Sequence, residues 1–181
     1  MSLKHNLNIN MDNNFNIVLC GFMGSGKTTV GKNLSNYTGV KFIDTDNYIE
    51  KRVGQTINQI FNKYGESYFR EIEKDCIKEI SSKTGYIIST GGGAILNKDN
   101  VDNLKKSGKI IFINVPFDII THRLSKDNTR PIIKNLDITS IEELFKKRQK
   151  KYQSVADIMV DGTASVDKVC NEITSKLAPL L

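Results

Sequence analysis

The stretch IVLCGFMGSGKTTVGKNL, residues 17–34, sets the strongest limit on what this chain can fold into. An apolar run is followed by a burst of glycines and then by Lys27, Thr28 and Thr29. Gly21, Gly26, Lys27 and Thr28 fit G-x-x-x-x-G-K-[S/T], a pattern that works only as a turn between a strand and a helix. Glycines let several backbone N–H groups turn inward on an anion, and the helix that opens near Lys27 adds the positive end of its dipole. The expectation is a bound nucleotide, with Gly24, Ser25, Gly26, Lys27, Thr28 and Thr29 around its phosphates. Lys27 would reach the β- and γ-phosphates, and the Thr28 hydroxyl would ligate Mg²⁺.

A strand–loop–helix unit of this kind calls for a parallel sheet, and the rest of the chain supplies one. Five short runs rich in Ile, Val and Phe read as strands covered on both faces: residues 15–20, 40–44, 86–90, 109–115 and 156–160. Helical patterns lie between them, at about 27–37, 98–106, 117–124, 140–152 and 166–177. The clearest is GESYFREIEKDCIKEISSK, in which Phe69, Ile72, Cys76, Ile77 and Ile80 recur at helical spacing. Alternation of this kind gives an α/β fold with one parallel sheet. A chain of 181 residues suits one domain, taken as residues 15–181 after a polar lead-in, 1–14, that is compatible with disorder. One polar, aperiodic segment of about 125–140, containing Pro131, reads either as a lid or as an idle surface loop.

Composition narrows the functional classes. No apolar run approaches the length of a membrane helix, and the first fourteen residues lack the apolar centre of a secretory signal. Cys20, Cys76 and Cys170 are scattered, without metal-ligand spacing, as expected of a cytoplasmic protein in a reducing compartment. The net charge of +6 suits anionic ligands. The basic run Lys146–Lys151 lies on a helical stretch and reads as a solvated face. His122 has no partner motif and takes an ordinary solvated or packed place, as does His5. The guanine-reading N-K-x-D pattern of GTPase switches is absent from the sequence. Small size and a lid favour a kinase for a small acceptor.

Four further pieces bear on that acceptor. FIDTD, residues 42–46, ends a strand with Asp44 and Asp46 on one face, where ligands of α/β sheets gather. One carboxylate can serve the metal and the other a substrate hydroxyl; Asp46 could equally cap the helix that follows. Arg70 and Glu73 stand at i, i+3, either as a site pair or as a surface ion pair. Gly91, Gly92 and Gly93 follow a buried strand, as a close-approach turn or a plain flexible one. Arg148 and Tyr152 are one helical turn apart.

Taken in order, GxxGxGKT at 21–28, DTD at 44–46, FRxxE at 69–73, GGG at 91–93, RP at 130–131 and RxxxY at 148–152 resemble the shikimate kinase family. The resemblance spans residues 17–177. It implies a three-layer P-loop kinase fold of the nucleoside-monophosphate-kinase type, with a five-stranded parallel sheet of order 2-3-1-4-5, flanking helices and a lid. It further implies transfer of the ATP γ-phosphate to the 3-hydroxyl of shikimate, with one Mg²⁺ per subunit. Asp46 is then the candidate base and holds ring hydroxyls, and Asp44 assists the metal through water. Arg70 and Arg148 grip the substrate carboxylate, the Gly91–Gly93 turn gives backbone contacts, and Phe61 and Phe69 form apolar walls. Arg130 neutralises charge on the transferred phosphoryl group, while Arg123 packs on adenine. The implied partners are ATP and shikimate, without nucleic acid or membrane, and the expected state is a monomer. Two rival readings are another small P-loop kinase, such as a gluconate kinase, and a nucleotide-dependent regulatory or nucleic-acid-binding module.

Overall fold

The computed structural model describes residues 15–125 and 138–180. The lead-in 1–14 and segment 126–137, which holds Arg130 and most of the expected lid, lie outside the described residues.

Strand β1 (Asn16–Cys20) is buried along its whole length, as an apolar run without alternation requires of a central parallel strand. It leads through the glycine-rich turn into α1 (Lys27–Thr38), which Gly39 closes in a left-handed conformation. Then follow β2 (Lys41–Asp44), α2 (Thr45–Val53), α3 (Ile57–Ser81), β3 (Tyr86–Ser89), a 3₁₀ turn (Ala94–Leu96) and α4 (Lys98–Ser107). The chain continues as β4 (Gly108–Asn114), α5 (Phe117–Ser125), α6 (Ile138–Val155), β5 (Ile158–Asp161) and α7 (Val166–Leu177). All strand pairs are parallel, and the order is β2-β3-β1-β4-β5. The register sets Leu19 beside Ser89 and Ser89 beside Asp44. The turns after β1, β2 and β3 therefore meet at one end of the sheet.

Three sequence expectations change. The edge strands are not covered on both faces: β2 is half-exposed, and β5 leaves Met159 at 50% exposure. Strand β5 also starts two residues later than expected. Ala156 still bonds back to Tyr152 of α6, and the Asp157 carboxylate accepts from the Ile110 amide. Helix α3 begins well before residue 65, at a capping box in which Thr56 and Gln59 satisfy each other's amides. Gly65, at φ 83°, breaks the helix into two pieces, and its backbone angles favour glycine.

Most of the apolar side chains form one core around β1, β3 and β4. A second, smaller cluster of Ile49, Ile60, Phe69 and Cys76 joins α2 to α3. That separate cluster gives the α2–α3 pair its own support beside the cleft.

Candidate active site

The site starts from backbone geometry. Gly26 sits before α1 at φ 91°, a conformation L side chains rarely adopt, and so α1 can start directly under the loop. Lys27 is 9% exposed. Its Nζ donates to the carbonyls of Gly21 at 2.9 Å and Phe22 at 3.0 Å, which holds the ammonium inside the turn. A cleft of about 660 Å³ runs from this loop to the turn after β3, lined by Gly24, Thr28, Asp44, Asp46, Gly91 and Gly92 among others. Ser25 and Thr29 also face it.

Thr28 Oγ1 donates to Asp44 Oδ2 at 2.8 Å. The other Asp44 oxygen accepts from the amides of Asp46 and Asn47, at 3.1 and 3.3 Å. Asp44, not Asp46, therefore caps α2, because the helix starts at Thr45, two residues earlier than an Asp46 cap would place it. Asp46 is left in the first turn of α2, facing the cleft. Thr45, between the two carboxylates, is fully buried, and its hydroxyl accepts from the Gly91 amide at 2.8 Å. Nothing in the motif beyond its small central hydroxyl residue signals this tie.

The three glycines of the next turn serve three different side chains. None of them has positive φ, so the demand is for space. A Cβ on Gly91 would lie 2.6 Å from Asp46 Oδ1 and 3.2 Å from Glu73 Oε1. On Gly93 it would strike the Arg70 guanidinium at 2.5 Å. On Gly92 it would touch Arg148 Nη1 at 3.6 Å and Tyr152 Oη at 3.7 Å. Asp46, Glu73, Arg70 and Arg148 thus converge on one backbone turn. The Gly91 amide and the Gly92 and Gly93 carbonyls are already bonded within the protein, to Thr45, Tyr152 and Leu96.

Arg70 is paired on its inner side with a buried carboxylate. Its Nη1 donates to Glu73 Oε2 at 2.7 Å, and Glu73 is 1% exposed; Nη2 and Nε reach Glu66. Burial pushes the Glu73 carboxyl above its ordinary range and the Asp46 charge adds to this, while Arg70 and Arg148 oppose it. Glu73 Oε1 and Arg148 Nε are buried without hydrogen-bond partners among the described residues. Arg148 also stacks over Phe22 of the phosphate loop, 6.0 Å from the ring centre. This contact joins α6 to the phosphate loop; Arg70 and Arg148 border the glycine turn without being among the residues that line the cleft.

Arg123, on α5, donates to the Gly162 carbonyl at 2.8 Å and reaches the loop carbonyls of Gly24 and Ser25 at 3.4 Å. Gly162, Ala164 and Val166, just after β5, line the same end of the cleft. The motifs did not mark this segment, because its small apolar residues carry no pattern. Phe69 is buried in the α2–α3 cluster, with the Phe61 ring tilted against it at 4.8 Å, and neither lines the cleft. Arg130 lies outside the described residues. His122 is exposed, as are Lys146, Lys147 and Lys150 of the basic run. The three cysteines are free and buried; burial pushes the Cys20 thiol up to about 12, against the pull of Lys27, so it is no nucleophile. No helix among the described residues is long and apolar enough to cross a membrane.

Comparison with known proteins follows the same lines. Residues 23–178 match the family model described as Shikimate kinase. A shikimate kinase of Aquifex aeolicus is 41% identical over 161 residues, covering 89% of this chain and 95% of the relative. The crystal structure of shikimate kinase from Bacteroides thetaiotaomicron superposes with a TM-score of 0.85 at 32% identity, covering 91% of this chain and 98% of that one. Shikimate kinase from Acinetobacter baumannii, solved in complex with shikimate, gives 0.83 at 33% identity, over 92% and 94% of the two chains.

Proposed function

The chain belongs to the shikimate kinase family, whose members are ATP-dependent kinases, and from that premise we propose how this cleft moves the γ-phosphoryl group of ATP to the 3-hydroxyl of shikimate. The observation that carries the residue assignments is the convergence of Arg70, Arg148 and Asp46 on the glycine turn, next to the phosphate loop.

In this reading the loop amides and Lys27 hold the ATP phosphates, and Arg123 flanks adenine with Ala164 and Val166. Arg70 and Arg148 fork onto the shikimate carboxylate, a geometry that two planar cations impose on one planar anion. The buried Nε of Arg148, without a hydrogen-bond partner among the described residues, has a donor to spend on such a carboxylate. Asp46 accepts the proton of the attacking hydroxyl. The hydroxyl of Thr28 and the carboxylate of Asp44 are adjacent hard oxygens, which suits Mg²⁺, an ion that keeps most of its ligands as water and phosphate. Thr28 would hold it directly and Asp44 through water; when bound, it spreads the negative charge of the β- and γ-phosphates. The protein's own part is positioning and electrostatic stabilisation.

The test is ADP release from Mg·ATP with shikimate, with gluconate and without acceptor. Turnover with shikimate alone is expected. Turnover with gluconate, or acceptor-independent hydrolysis only, would overturn the acceptor assignment and leave the nucleotide site standing. Arg70→Ala should raise the shikimate KM by about 10- to 100-fold, the range of a lost charge-assisted hydrogen bond, with the KM for ATP nearly unchanged. An equal rise of both constants would count against the role given to Arg70.

Gly93→Ala gives a finer test. The new methyl group would meet the Arg70 guanidinium at 2.5 Å and push it from its ion pair with the buried Glu73, so the thermal midpoint should fall somewhat. Displacing the guanidinium should also raise the shikimate KM about tenfold. Gly108→Ala would instead strike the Asn16 carbonyl at 2.5 Å and should lower the midpoint more. If Gly93→Ala left the shikimate KM unchanged, Arg70 could not act from the position described here.

A further inference from the structure

Arg70 and Arg148 are held in different ways. Arg70 is steadied by two carboxylates, Glu66 and Glu73. Among the described residues no carboxylate forms an ion pair with Arg148, and its guanidinium belongs to a long, flexible side chain on α6. Its stacking over Phe22 steadies one face of the guanidinium, and a further group is needed to fix its place beside the glycine turn.

Tyr152 lies one helical turn beyond Arg148 on the same helix, so the two side chains share a face. Its ring is fully buried and stacks on Phe112 of β4, with centroids 5.3 Å apart and planes 22° apart. This packing anchors the hydroxyl to the sheet. The hydroxyl donates to the Gly92 carbonyl at 2.6 Å, and both it and Arg148 Nη1 border Gly92. Burial pushes the phenol above its ordinary range, so it keeps the proton it donates. From the opposite side, Thr45 holds the Gly91 amide. The glycine turn has no side chains of its own to hold it, and these two hydroxyls clamp it.

We propose that Tyr152 is a positioning residue for the acceptor: by tying the Gly92 carbonyl to α6, its hydroxyl sets the place of Arg148 against the glycine turn. The proposal rests on the reading that Arg148 grips the shikimate carboxylate. Tyr152 does not touch the substrate and acts through its neighbour on the helix.

Tyr152→Phe keeps the ring and its stacking on Phe112, and removes only the hydroxyl. It leaves the Gly92 carbonyl without its donor, and the shikimate KM should rise about tenfold while the KM for ATP stays within about twofold. The discriminating measurement is a double-mutant cycle with Arg148→Ala. In that background Tyr152→Phe should add less than about twofold, because the residue through which it acts is gone. A full tenfold effect in the Arg148→Ala background, an equal change in both KM values, or no change would overturn the proposal. So would a collapse of the thermal midpoint, since the hydroxyl would then serve the fold. Failure of the underlying reading looks different: the unmutated protein would itself show no turnover with shikimate.

Discussion

Lys27→Ala is expected to lower kcat by about a thousandfold or more, since removing one preorganised donor to developing charge costs 10²–10³ and here a full cation goes with it. The structure explains why no neighbour substitutes. The Lys27 ammonium is held inside the loop by the Gly21 and Phe22 carbonyls, where an exposed lysine cannot follow. Lys27→Arg should not restore activity, because a planar fork does not fit a pocket shaped for a compact ammonium. Coupled ADP release gives kcat, and a calorimetric ATP titration separates lost binding from lost chemistry. A Lys27→Ala protein within tenfold of the normal rate would sink the phosphate-loop assignment.

Asp46→Asn should lower kcat by about 10²–10⁴, the range for losing a general base, with the KM for ATP unchanged. The substitution leaves two neighbouring features in place. Asp44 caps α2 and accepts from Thr28, so neither the helix start nor the Thr28 hydroxyl depends on the Asp46 charge. The amide also occupies the same volume above Gly91, where a Cβ on the glycine would lie 2.6 Å from Asp46 Oδ1. Removing this charge takes away one of the influences that raise the Glu73 carboxyl. The measurement is kcat and both KM values at saturating Mg·ATP. A raised shikimate KM with normal kcat would leave Asp46 a binding group only. Unchanged constants would remove it from the site.

The contrast between these aspartates shows what a linear reading can resolve. Both carboxylates are evident in FIDTD, yet which one caps the helix depends on where α2 starts, a matter of two residues. Thr45 between them passed unread, because a hydroxyl that binds the amide of Gly91, 46 positions later, leaves no local mark. A different miss was avoidable. Thr56 and Gln59 spell a capping box in the sequence itself, which announces the first piece of α3. The edge strands were read as covered because their composition matches that of the central ones; only neighbours in the sheet decide exposure.

By itself the sequence determined the phosphate loop, the parallel α/β class and the chemical types gathered for an acceptor. Those features rest on contiguous residues, where backbone freedom, periodicity and helix polarity are local properties. Tertiary structure decided which glycine makes room for which side chain: Gly91 for Asp46, Gly92 beside Arg148 and Tyr152, and Gly93 for Arg70. These partners come from α2, α3 and α6, and meet only because β3 lies between β2 and β1 with Ser89 level with Asp44 and Leu19. A contact between distant residues is a property of sheet order and register, which no single segment encodes.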